Sequence, residues 1–266
     1  MSTLAVYRTL LRASVTGQAA YRGSFALEIA GSWMVVLLDL VEVYAVFGQV
    51  PAVAGFAFAE VFLVFALAST AFSIADLLLG QTDRIMDHVR TGMFDVVLLR
   101  PLPALWQLAV SDLQLRRVGR MSFSVVVLVV ALSRVDIAWT PARVVLLAVA
   151  PLSGAVVFAA LFVISGALSF WLVEGREVGN AVTYGTGYLA RWPLGIFGLP
   201  VRRLVTFVLP AAFTGYLPAV GLLGRAEPTG LPGWLPWAAP LAAAWAALAA
   251  GLLWRAGIRH YTGAGG

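Results

Sequence analysis

Six stretches of apolar residues run through the chain, at about 27–48, 55–79, 118–135, 143–172, 204–223 and 233–255. A helix needs ~20 apolar residues to cross ~30 Å of hydrocarbon, so each stretch predicts a membrane-spanning helix. The predicted fold class is all-α: a polytopic membrane protein, read as a single transmembrane domain over 1–266. With six spans both termini fall on one face. Residues 1–23 follow another pattern. Leu4, Tyr7, Leu11 and Val15 recur at helical spacing with Arg8, Arg12 and Arg22 among them, which predicts an amphipathic helix lying on the membrane surface. The arginines interrupt any compact apolar core, so the segment does not read as a signal peptide.

Two spans stand apart. Only 13 residues separate Arg120 from Arg134, about 20 Å of helix, so Arg120 must snorkel, thin the bilayer or face a wet or protein-lined interior. The stretch from Ala242 to Gly251 is nearly all alanine and predicts a helix packed closely inside the bundle. Pro210 and Pro218 predict kinks in the fifth span.

Composition narrows the function classes. Hydrophobic residues are 61% of the chain, charged residues 12%, and the mean hydropathy is +0.91, far from the balance of a soluble domain. All 18 basic residues are arginine. Without lysine there is no G-x-x-x-x-G-K loop for nucleotide phosphates and no Schiff-base chemistry. Without cysteine there are no disulfides or thiolate sites. His88 and His260 lie in different segments, and neither a metal-ligand cluster nor a G-x-S-x-G elbow occurs. The high pI, about 10.1, needs no nucleic acid: arginines facing anionic lipid account for it.

The arginines give an orientation. Fifteen lie in the N-terminal segment, 80–120, 173–203 and 255–266, against Arg134, Arg143 and Arg225 in the opposite connections. The positive-inside rule makes the first set cytoplasmic. It also places Glu174 to Arg203 at the inner face as a bent, partly inserted segment anchored by Tyr184, Trp192 and Phe197. The rival reading puts a span at 178–199 and sends Arg202 and Arg203 outside.

The longest inner connection, 80–103, gathers Asp83, Arg84, Asp87, His88 and Arg90 into one or two helical turns. Gly92 breaks the run, and Phe94, Val97 and Leu98 form a small apolar face ending at Arg100 and Pro101. A charged short helix with an exposed aromatic suits docking to a soluble partner. Thr91-Gly92-Met93-Phe94-Asp95 through Leu99-Arg100-Pro101-Leu102 resembles the "G-x-hydrophobic-D…L-R-P" segment of bacterial ABC-2-type transporter permeases, the six-span branch often encoded in pairs. Phe170-Trp171, Trp192-Pro193 (where the family tends to have Tyr-Pro), Phe207 through Pro210, and Gly257 to Gly263 are similar too. The resemblance implies a type V exporter-like transmembrane domain in the bacterial inner membrane. It implies two permease subunits, this chain twice or with a paralogue, and two copies of a separate ATPase that carries the ATP and Mg²⁺. It assigns Asp83, Arg84, Asp87, Arg90, Gly92, Phe94, Asp95, Arg100 and Pro101 to the coupling loop, with no cofactor in this chain and export as the direction.

Acids in the spans bear on cargo. Asp39 and Glu42 share a helix face in the outer half of the first span; Glu28 and Asp76 sit near inner ends, and Glu60 near an outer end. Intramembrane carboxylates face a cavity, a partner charge or a proton path. Two readings stay open: Asp39 and Glu42, with Glu28, Asp76 and Arg120, line a path for cationic amphipathic cargo; or the acids pair with Arg116, Arg117, Arg120 or Arg143, or are solvated at the interface. A proton-coupled secondary transporter relaying through Asp39 and Glu42 is the alternative function, opposed by the lack of an inverted repeat.

Overall fold

A computed structural model describes residues 22–111, 114–172 and 175–261; apart from its last two positions, the surface helix expected over 1–23 lies outside these. Among the described residues the regular elements are helical, with one isolated bridge between Val53 and Phe56. The helices are α1 (Arg22–Phe47), α2 (Phe58–Leu79), α3 (Ile85–Arg90), α4 (Met93–Leu98), α5 (Ala104–Ser111), α6 (Leu115–Leu132), α7 (Pro141–Leu168), α8 (Gly175–Leu189), α9 (Leu199–Arg203), α10 (Tyr216–Leu223) and α11 (Ala239–His260). Local chemistry starts two of them. Glu60 accepts the Ala57 N–H at 2.9 Å, closing the first turn of α2. Thr140 caps α7 ahead of Pro141, its hydroxyl accepting the Arg143 N–H.

α2 is the axis. It packs against α6 on one side and α7 on the other, and nearly all of it is buried. α11 and α8 cover α7, while α1 rests mainly on α6. Trp33 fixes that contact: its ring stacks on Phe123 and its indole N–H donates to the Gly119 carbonyl at 2.9 Å. Long apolar side chains on the outer faces of α1, α6 and α11 stay exposed, among them Leu38, Tyr44, Val129 and Leu241. A bilayer, rather than water, is the solvent that such faces require.

Four stretches are long and apolar enough to cross a membrane: Ala26–Phe47, Phe58–Arg90, Pro141–Leu168 and Leu235–His260. They coincide with four of the six expected spans. α6 is 18 residues long but opens with Arg116, Arg117 and Arg120, and α8 is a 15-residue helix rich in glycine and threonine. The three arginines set α6 apart from the four, and α8 is too short.

One expectation gives way to its rival, a segment crossing at 178–199. Glu174 to Arg203 does not stay at the end where the 80–103 loop lies. α8 runs back along α7: Ser165 donates to the Gly179 carbonyl at 2.8 Å and bonds the Thr183 hydroxyl at 2.6 Å, while Gly187 meets Phe72 and Phe158 one helical step further on. Gly195 then abuts Ala54, ahead of α2, at the opposite end of the bundle. The physical reason is a stripe of small residues. Gly175, Gly179, Thr183 and Gly187 recur every fourth position, and at Gly179 a Cβ would lie 2.7 Å from that of Ser165. Two backbones thereby approach closely without an apolar run.

The kink expected at Pro210 is present and sharp, so 204–223 is not one straight crossing. Leu199–Val208 and Ala211–Leu223 meet at 72°, with the break at Pro210, whose ring cannot continue the hydrogen-bond ladder. Both arms begin and end at the far end. Arg202 donates to the Phe197 and Gly195 carbonyls, and Arg225 pairs with Glu60 at 2.5 Å and donates to the Gly55 carbonyl. The tip reaches halfway down, where Thr214 abuts Gly154 and Gly215 abuts Val64 and Ala68. The segment is a helical hairpin dipping in from one side.

A cysteine pair tests this arrangement without background, because the chain has no cysteine of its own. Ala54→Cys with Gly195→Cys, oxidised in membranes, is expected to lose maleimide labelling and to regain it after reduction. Full labelling of both thiols after oxidation would return residue 195 to the other end.

Candidate functional site

A polar cleft runs between α1 and α8, floored by α2 and α6. Its inner chamber, about 460 Å³, is lined by Glu28, Ser32, Asp76, Arg116, Arg117 and Arg120. A second chamber of about 220 Å³ is lined by Asp39, Ser69, Phe72, Arg120, Tyr188 and Arg191. Val35, Arg120 and Tyr184 border both, so the two chambers adjoin.

The inner chamber is organised around Asp76. Its carboxylate receives Arg117 at 3.4 Å and Arg120 at 3.2 Å, and Asp76 and Arg117 are each more than nine-tenths buried. Arg117 also donates to the Asp76 carbonyl at 3.1 Å and to Gln81 at 2.5 Å. Gln81 in turn donates to the Ala109 carbonyl of α5 and to the Leu78 carbonyl. Thr82 hydrogen-bonds the Phe162 carbonyl of α7 at 2.9 Å. A charge buried in a low dielectric is tolerable only with full pairing of this kind. The network joins the cleft to the turn Gly80–Arg84 and onward to the loop. Gly80 sits where a Cβ would lie 2.2 Å from the Asp76 carboxylate, so no larger residue fits beside it.

Higher in the cleft, Asp39 pairs with Arg191 at 2.6 Å and Glu42 accepts from the Tyr188 hydroxyl. Both acids face α8, as their three-residue spacing on α1 predicts. Asp76 thus meets Arg117 and Arg120, two of the partners anticipated for the acids, whereas Asp39 meets Arg191, which was not anticipated. Placing 174–203 at the inner face hides this pairing. Glu28 stands at the exposed rim of the inner chamber, and Glu60 pairs with Arg225 outside the cleft.

The loop is built from α3, α4 and α5. Gly92 takes φ +71°, a left-handed conformation that suits glycine, and turns the chain between α3 and α4. Gln107 of α5 donates to the Val97 and Leu102 carbonyls at 3.0 and 2.7 Å, fixing the turn through Arg100 and Pro101. Asp87 pairs with Arg176 at 3.3 Å on the surface, and Arg84, Arg90, Arg100 and Pro101 are exposed; Asp83 lies in the turn Gly80–Arg84.

Phe94 departs from expectation. It is fully buried, its ring 5.2 Å from Phe170 and 5.1 Å from Tyr261, and so is not an exposed docking aromatic. Three aromatic rings converge there because the ends of α7 and α11 meet beneath α4. Asp95 sits beside the Tyr261 hydroxyl; burial, with that carboxylate, raises the hydroxyl's pKa above its ordinary value. The exposed apolar side chains are Met93, Val96, Leu98 and Leu99, the last 85% accessible.

Among the described residues no group of three or more His, Asp or Glu side chains is placed to hold a metal. A family described as "ABC-2 family transporter protein" matches residues 33–265. No curated protein and no solved structure matches the chain.

Proposed function

Because this chain is an integral membrane protein of the ABC-2 transporter family, we propose that it is the permease subunit of an ATP-driven exporter. In this reading it crosses the bacterial inner membrane six times, through α1, α2, α6, α7, α8 with the residues up to Gly195, and α11, leaving both termini cytoplasmic. The hairpin 199–223 re-enters from the outer side. Arg191, Arg202 and Arg203 then leave the inner set, and the arginine asymmetry becomes twelve to six, still favouring the loop end as cytoplasmic. The arginines of α6 are compatible with a span because two of the three, Arg117 and Arg120, share the Asp76 carboxylate within the bundle.

Two copies of a separate ATPase, holding ATP and Mg²⁺, drive the transport, and a second permease, this chain again or a paralogue, completes the path. The cleft lined by Glu28, Asp39, Asp76, Arg120 and Arg191 is this subunit's share of that path, and the cargo is an amphipathic, drug-like or lipid-like compound. The observation that carries this reading is the hydrogen-bonded continuity from loop to cleft through Ala109, Gln81, Arg117 and Asp76. A push on the loop reaches the cleft walls along that path. Asp39 and Glu42 are engaged by Arg191 and Tyr188, which lends no support to a proton relay.

The docking surface in this account is the exposed ridge Met93, Val96, Leu98 and Leu99, flanked by Arg84, Asp87, Arg90, Arg100 and Pro101. Leu99→Asp is expected to abolish ATP-dependent transport and co-purification of the ATPase. Its thermal midpoint should match the parent, because the side chain is exposed and exposed changes move stability by about 0.5 kcal/mol or less. Full transport by this variant would remove the ridge from the interface.

A further inference from the structure

The sequence alone left cationic cargo open. The cleft points the other way. Its two chambers together present four guanidinium groups, on Arg116, Arg117, Arg120 and Arg191, against three carboxylates, on Glu28, Asp39 and Asp76. Asp76 is already shared by two arginines, and the oxygen facing Arg191 is occupied at 2.6 Å. The donors are less well satisfied than the acceptors. In the upper chamber the Ser69 hydroxyl is buried, with only 4% of the residue exposed, and has no hydrogen-bond partner; the Arg191 Nε is buried and also lacks one, its guanidinium lying 5.6 Å from the Phe65 ring centroid. Both residues line the same 220 Å³ space as Arg120. Buried polar groups are rarely left unpaired, and each costs stability until an acceptor arrives.

We propose that the cleft binds the anionic headgroup of an amphipathic molecule, a phosphate or carboxylate, held by Arg120, Arg191 and Ser69. The headgroup adds a negative charge where the lining carries one positive charge in excess. It accepts from the Ser69 hydroxyl and the Arg191 Nε, and it leaves both ion pairs intact. A cation would find no free donor-facing acid of comparable burial. The apolar tail has an exit, since α1 rests on α6 rather than α8 and exposes Leu38, the neighbour of Asp39, to the bilayer. Phe72, Tyr184 and Tyr188 supply ring faces within the cleft.

This inference rests on the cleft being the transport path, but its test needs no ATPase, so its failure is separable from failure of the permease reading. The full chain, purified in a neutral detergent, is titrated by native mass spectrometry with dioctanoyl phosphatidate, glycerol 3-phosphate or dodecyltrimethylammonium. Phosphatidate is expected to bind at least about tenfold tighter than the ammonium probe, the size of one hydrogen bond to a charged group. It should also bind at least about tenfold tighter than glycerol 3-phosphate, which lacks the acyl chains whose burial adds affinity with each CH₂. Arg120→Gln should weaken phosphatidate roughly tenfold and Ser69→Ala several-fold, while Arg255→Gln, outside the cleft, should change nothing. Ser69→Ala keeps the test open if the arginine variant misfolds. Equal or tighter binding of the ammonium probe would overturn the proposal. So would phosphatidate binding that neither cleft variant alters, or no binding of any probe, the result for a cavity that holds water alone. Glycerol 3-phosphate binding as tightly as phosphatidate would overturn the amphipathic assignment in favour of a free anion.

Discussion

Asp76→Asn is expected to lower the stability of the purified chain by about 3–5 kcal/mol, the usual cost of removing one partner from a buried ion pair. Arg117, 6% accessible at its side chain, would keep its hydrogen bonds to Gln81 and the Asp76 carbonyl but lose the charge that offsets its desolvation. Arg120 is more accessible, at 27%, and can turn toward water, so the loss falls chiefly on Arg117. The double variant Asp76→Leu with Arg117→Met should recover much of the deficit, because a buried pair replaced by apolar groups of similar size is often neutral. Thermal unfolding of the three proteins in one detergent decides the matter. A midpoint for Asp76→Asn equal to that of the parent would mean that the pair is not formed in the folded chain.

The second large effect concerns the loop. Phe94→Ala should cost about 3–5 kcal/mol locally, the range for truncating a buried aromatic, because it empties the space between Phe170 and Tyr261. Phe94→Leu keeps most of the volume and should cost less than half of that. The readouts are the thermal midpoint and limited proteolysis of residues 85–103, with faster cleavage expected in the alanine variant. Wild-type protease resistance in Phe94→Ala would contradict its place under α4. Set beside Leu99→Asp, the comparison separates a residue that builds the loop from one that meets a partner.

The contrast between these two residues shows how far the sequence could be read. Apolar runs long enough to cross hydrocarbon are visible in composition alone, which is why α1, α2, α7 and α11 fall close to their expected positions. α8 is legible only as the rival span at 178–199, because its packing depends on smallness rather than hydrophobicity: Gly175, Gly179, Thr183 and Gly187 bring it against α7, and they score as polar or neutral. The four-residue spacing was the available signal. With α8 misplaced, Arg191 was assigned to the inner face, and the partner of Asp39 stayed hidden. The spacing of Asp39 and Glu42 did foretell one shared helix face, now seen opposite Arg191 and Tyr188. In the loop, the aromatic at 94 was legible as important, but its direction was not. Six residues of helix give too few turns to define an inward face, and the rings that enclose Phe94 come from positions 170 and 261, far away in sequence.

In the proposed function this chain forms a transport path driven by a separate ATPase. The most direct test is gentle-detergent co-purification of the tagged full chain from its own host, with partners identified by mass spectrometry. Recovery of a nucleotide-binding subunit in stoichiometric amount, lost in Leu99→Asp, is the predicted result. A preparation containing this chain alone, under conditions that hold a control ABC complex together, would contradict the account.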